Sequence, residues 1–242
     1  MASRRVIDAV VEQLATDPGY GSGRKVHPQG LRPEEAGAVM ADLYVAHADA
    51  ARRLPMAALD LGRVIACKRG CNACCHELVL VNEAEAFLLA EALLEPGAEA
   101  ALARFEARTP GWQEVVGEIA ARAAAAHADG DRVRYLAARH EHQQAQLLCP
   151  LNQDGDCALY GARPLACREG WVVDTAERCG PQPDDAPPPQ RVSYPGYESF
   201  LAMARRVQIG LQGTLGRPPL ALSPLPTAVA AALAQLRAGQ GP

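Results

Sequence analysis

The sequence predicts a mainly α fold: one helical domain over residues 1–242 wrapped around an irregular, cysteine-rich core. Three observations carry this. Apolar residues recur at helical spacing through most of the chain. Alternating or β-branched runs of strand length are scarce. The two segments that break the helical pattern hold all eight cysteines.

The elements follow in order. Residues 3–16 alternate apolar and charged positions at helical spacing. The chain starts basic, as a signal peptide does. Asp8 and Glu12 interrupt its would-be apolar core, and no small-residue cleavage site follows, so an amphipathic helix is expected. Residues 33–53 open with Pro33 and two acids, a favourable first turn. Asn82 with Glu85 three residues on predicts a capping box for the helix "EAEAFLLAEALL", which Pro96-Gly97 ends. Residues 98–108, 111–127 and 131–146 read as three further helices, broken at Pro110-Gly111 and at Gly130. Two last helices, 196–213 and 225–237, are split by "GRPPLALSPLP". The run "PQPDDAPPPQ", within 181–192, reads as a polyproline-like connector.

Length and charge narrow the classes. A chain of 242 residues can bury a core large enough to fold without disulfides. A net charge of −4 and an aromatic content of 5% argue against a nucleic-acid partner, which needs a basic face and stacking platforms. No apolar run approaches a membrane span. The expectation is a cytoplasmic protein whose thiols stay reduced, and there a cysteine pattern reads as metal-binding or catalytic.

The cysteines are Cys67, Cys71, Cys74, Cys75, Cys149, Cys157, Cys167 and Cys179, in two segments, 65–80 and 147–180. Cys71-x-x-Cys74 is a knuckle spacing that lets two thiolates converge on one metal. Cys149 and Cys157 flank "NQDGD", where a turn at Asp154-Gly155 folds the chain back and brings both sulfurs to one side. Irregular segments of this length need an organiser, and a metal centre supplies one. Side chains of the adjacent pair Cys74 and Cys75 diverge by about 100° on a helix. Two such thiols do not readily serve one mononuclear ion, which leaves a spare thiol, a polynuclear site or two sites. Lys68, Arg69, Arg163 and Arg168 stand beside the cysteines, as charge compensation for thiolates or as solvated loop charges.

"GCNACC" followed by "CPLNQDGDCALYGARPLACR" resembles the YkgJ-like cysteine-cluster proteins, described as zinc- or iron-chelating and often as iron–sulfur-containing. The family pattern is a CxxCxxCC-type cluster, then Cys-Pro, Cys-x-[Ile/Leu]-Tyr and Arg-Pro-x-x-Cys-Arg. It falls here on Cys67, Cys71, Cys74, Cys75, Cys149-Pro150, Cys157, Leu159-Tyr160, Arg163-Pro164, Cys167 and Arg168, with one extra residue between Cys67 and Cys71. The resemblance covers roughly residues 65–180. It implies a metal-binding core. Through a related branch, an iron–sulfur flagellin lysine methylase, it also implies methyl transfer as an alternative.

Other readings compete. Cys67-x3-Cys71-x2-Cys74 matches the spacing of radical S-adenosylmethionine enzymes, but the chain lacks their strand–helix alternation. Cys75 beside His76, with Lys68 and Arg69 near, is the best nucleophile candidate. His140 and His142 in "RHEHQQ" read as the polar face of a helix, and His76 as a loop histidine or a partner of a cluster sulfur. Glu77, Asp154 and Asp156 are the nearest carboxylates; Tyr160 and Trp171 are expected to pack around the site. The resulting expectation is a metalloprotein that uses these eight cysteines. An iron–sulfur cluster, four-iron four-sulfur, is favoured, with a redox or cluster-dependent modifying role on a protein or small-molecule substrate. The alternatives are a structural zinc-binding interaction module and an S-adenosylmethionine-dependent protein methyltransferase.

Overall fold

The computed structural model describes residues 40, 41, 44, 45, 47 and 48, then 62–179 apart from 69, 169, 170 and 174, and finally 222–239. The expected helices at 3–16 and 196–213 and the connector at 181–192 lie outside the described residues, as does most of 33–53. The described positions from Met40 to Ala48 are helical. The described chain is mainly α. It has five helices, and its strands are two residues long.

Strand β1, Leu80–Val81, leads into helix α1, Glu83–Leu94. The capping box is present: the Glu85 N–H donates to Asn82 Oδ1 at 2.9 Å, and the Asn82 N–H donates to Glu85 Oε2 at 3.2 Å. Two donors that helix geometry leaves without partners are thereby satisfied. Helix α1 is apolar nearly all round and buries Phe87, Leu89, Ala90 and Leu93. Gly97, at φ 95°, turns the chain out of it.

Helix α2 runs unbroken from Glu99 to Ala128, thirty residues. This corrects the expected break at Pro110-Gly111. Proline there removes one backbone bond and costs about 3 kcal/mol in a helix interior. Two facts outweigh that. Pro110 lies on the exposed face, so its ring disturbs no packing. Phe105, Thr109, Trp112, Val116, Ala120 and Ala123 form one buried stripe that passes through the proline without a change of phase. Tertiary burial along that stripe overrides the local signal.

Gly130, at φ 70°, and the Asp131 cap reverse the chain into helix α3, Arg132–Gln144. Helices α2 and α3 pack as a hairpin over a small core of Trp112, Val116, Ala120, Ala123, Ala138 and Leu78. A hairpin of β2, Asn152–Gln153, and β3, Asp156–Cys157, follows, then the short helix α4, Leu165–Arg168. Strand β4, Ser223–Pro224, pairs antiparallel with β1 and opens helix α5, Leu225–Arg237. Pro226 sits in its first turn, where a missing N–H costs nothing. Helix α5 packs on α1 in the main core, which also takes in Met40, Tyr44, Phe105, Leu151, Leu159 and Leu165. The two cysteine segments lie where these two cores meet.

Candidate metal centre

The first cysteine segment is shaped by backbone bonds. The Cys71 N–H donates to Lys68 O at 3.1 Å, closing a turn in which Gly70 takes φ 84°. A 3₁₀ turn over Ala73–His76 follows, closed by Cys75 N–H to Asn72 O at 2.8 Å. The second segment is joined to it directly, because the Cys149 N–H donates to Cys75 O at 2.8 Å. The β2–β3 hairpin folds back at Asp154 (φ 52°) and Gly155 (φ 92°), the left-handed pair of a tight hairpin turn. "NQDGD" thus makes the expected reversal. It sets Cys157 opposite Asn152 and carries Cys149 and Cys157 to one side.

Six cysteines, Cys71, Cys74, Cys75, Cys149, Cys157 and Cys167, line one cavity of about 60 Å³. A second cavity of about 100 Å³ shares Cys71, Cys74 and Cys167 and adds Cys67. Cys67 is fixed by an isolated bridge of Ile65 to Val173 and by the Val172 N–H, which donates to its Sγ at 3.2 Å. Cys179 lines neither cavity among the described residues; it is buried next to the 3₁₀ turn. All eight are free thiols. Among the described residues, no group of three or more His, Cys, Asp or Glu side chains already converges as a ready-made ion site.

The adjacent pair differs from the helical expectation. Cys74 and Cys75 both face the first cavity, and their thiols hydrogen-bond each other. Both lie inside the 3₁₀ turn, whose successive residues diverge by about 120°, so they share the cavity because the second cysteine segment closes around the turn and not because the two side chains run parallel. The bond to Cys75 pushes the Cys74 thiol well up. The same bond, with the Asn152 amide at 3.3 Å, lowers Cys75 against the opposing effect of burial. Burial pushes Cys149 up to about 12 and raises Cys157 and Cys167. Each of these thiols also feels the charge of its neighbours. Several ionised thiols around one cavity repel, and a bound cation reverses that balance.

In kind and in number the donors suit a thiophilic metal group. Six sulfurs exceed the four that one tetrahedral ion takes. The surrounding groups are also placed. Glu77 and Asp156 line the first cavity, whereas Asp154 is exposed and pairs with Arg104 at 3.8 Å. Tyr160 lines both cavities and Trp171 the second. His140 is exposed. His142, expected on a polar face, is instead buried against Trp112, with ring centroids 5.7 Å apart, and burial lowers its pKa. The residue missed in the sequence is Asn152. Its side-chain amide donates to Cys75 Sγ while its Oδ1 accepts from the Gly155 N–H at 3.2 Å. An amide between two cysteines and ahead of Asp-Gly was the available signal.

No helix among the described residues is long and apolar enough to cross a membrane. No protein-family model, curated protein or solved structure matches the chain.

Proposed function

We propose that the chain is a cysteine-cluster metalloprotein that holds an iron–sulfur cluster, with a redox or cluster-dependent modifying role. The observation that carries the reading is the gathering of six free thiols, from segments some eighty residues apart in the chain, around one cavity. Cys71, Cys74, Cys75, Cys149, Cys157 and Cys167 are the candidate ligands, with Cys67 at the margin and Cys179 outside the cavity. Their surplus over one tetrahedral ion favours a polynuclear group. The motif likeness to the YkgJ-like proteins points the same way.

When bound, such a cluster supplies electron transfer or an open metal position. The chain's own contributions are more specific. Asn152 and the Val172 N–H donate to the sulfurs of Cys75 and Cys67, the kind of contact that tunes cluster potential. Arg163 and Arg168 border the thiols and offset their charge.

The test is anaerobic purification, a visible spectrum, and a count of iron, zinc and acid-labile sulfide. The expected result is a brown protein with about four irons and four sulfides per chain. A Cys149→Ser variant should lose the colour, and a Cys179→Ser variant should keep it. A colourless protein carrying zinc alone would overturn the cluster and leave a structural zinc module. A protein without metal would overturn both.

A further inference from the structure

The second cavity differs from the first in charge. Lys68 and Arg168 line it together with Arg163, which borders both cavities, and among the described residues no carboxylate does. None of the three makes an ion pair with a described residue. Glu85 is the nearest buried acid, but its oxygens accept from Tyr44, Leu165 and Asn82. The two guanidinium groups are held in place by other means. Arg163 stacks on the Tyr160 ring at 3.6 Å and donates through Nε to Tyr160 O at 3.3 Å. Arg168 lies over the Tyr44 ring at 4.3 Å; it donates through Nε to Arg163 O at 2.6 Å and through Nη2 to Gly161 O. Stacking and backbone bonds fix the two planar forks without cancelling their charge. The field reaches inward: buried His47 is lowered to about 4, first by burial and then by Arg168 and Arg163. The wall also holds an unspent donor, because the Trp171 indole N–H is buried and has no hydrogen-bond partner.

We propose that this second cavity binds a small oxyanion, a carboxylate or phosphate group, beside the cysteine cavity. Size supports this class. About 100 Å³ is well below the roughly 300 Å³ at which drug-sized pockets begin. The Nη edge of Arg163, whose Nε is held by Tyr160 O, matches the planar, bidentate geometry of carboxylate and phosphate oxygens, while Arg168, bonded to two carbonyls, contributes its charge. Cys71, Cys74 and Cys167 form the wall between the two cavities, so a bound anion lies against the candidate metal ligands. That position suits the anionic end of a substrate or a co-ligand.

The test is calorimetric titration with sodium phosphate and with sodium acetate at constant ionic strength, on metal-free and on metal-loaded protein. The expected result is saturable binding of at least one anion in at least one form, weakened tenfold or more in a Lys68→Gln/Arg163→Gln variant. Preference for acetate assigns the site to a carboxylate, and preference for phosphate to a phosphoryl group. A Trp171→Phe variant, which keeps the ring and deletes the N–H, should weaken binding to a smaller degree. Absence of saturable binding in both forms overturns the proposal. So does unchanged affinity in the double variant when its circular dichroism spectrum matches wild type. The metal reading fails separately, by metal content alone, because the anion titration is also run without metal.

Discussion

Glu77 follows the cysteine-bearing 3₁₀ turn and ties it to helix α3. Arg139 donates to Glu77 Oε2 through Nε at 2.9 Å and through Nη2 at 2.6 Å, and Gln143 Nε2 donates to Oε1 at 2.6 Å. The Glu77 side chain is 9% exposed and that of Arg139 32%. This asymmetry decides which truncation costs more. In Arg139→Met the nearly buried carboxylate loses both guanidinium bonds and cannot turn out to water, and truncating the partner of a buried charge costs about 3 kcal/mol. In Glu77→Gln the guanidinium can turn outward to water, and the loss is that of a charge-assisted bond, about 1.5 kcal/mol. The same helical hairpin contains its own control. Arg122 and Glu141 pair at 2.8 Å with side chains 56% and 51% exposed, so Arg122→Met should cost about 0–1 kcal/mol. Urea unfolding of metal-free protein, followed by circular dichroism, measures all three. The rate at which a thiol reagent labels the cysteines reports the loop itself and should rise in Arg139→Met. If Arg139→Met proves no more destabilising than Glu77→Gln, or no more than Arg122→Met, the argument from burial is refuted.

Other consequences are open to measurement. Asn152→Ala removes the amide donor to Cys75 Sγ and the Oδ1 acceptor of the hairpin turn; it should cost about 1–2 kcal/mol in urea unfolding and speed metal loss to a chelator. Pro110→Ala should stabilise the chain by about 1–3 kcal/mol, since it restores a bond to a helix that is already continuous; a destabilising result would mean the proline sets a packing-required bend. Glu85 is fully buried, and burial raises its pKa above the ordinary 4.5. Between those two values the folded state binds more protons than the unfolded state. Stability therefore falls as pH rises through that window, by at most about 1.4 kcal/mol per pH unit. Glu85→Gln should flatten the slope of unfolding free energy against pH there, whatever it does to absolute stability; an unchanged slope would assign the titration to another group.

The helical class, the capping box at Asn82 and Glu85, the end of α1 near Gly97, the stop at Gly130 and the span 225–237 were all readable along the chain. These signals are local: each depends on dihedral preference or hydrogen bonding within a few residues. The turn at Asp154-Gly155 belongs with them, because a left-handed pair needs those residue types wherever it occurs. The eight cysteines and their two segments were equally plain from spacing.

What tertiary structure alone decided concerns which groups meet. Pro110 is a break in one dimension and a tolerated exposed position in three, because the stripe from Phe105 to Ala123 has a core to pack against. His142 looks like surface in "RHEHQQ", yet the face it shares with Ala138 is the one that α2 covers. Cys74 and Cys75 share a cavity because the second cysteine segment closes around the 3₁₀ turn that carries both, a meeting that composition does not encode. Cys179 lines neither cavity, while Lys68 and Arg168 meet Arg163 and four of the cysteines around the second. Spacing limits how far apart two residues can lie. It does not fix which side of a fold each faces, and that is settled only when the α1–α5 and α2–α3 cores close around the two cysteine segments.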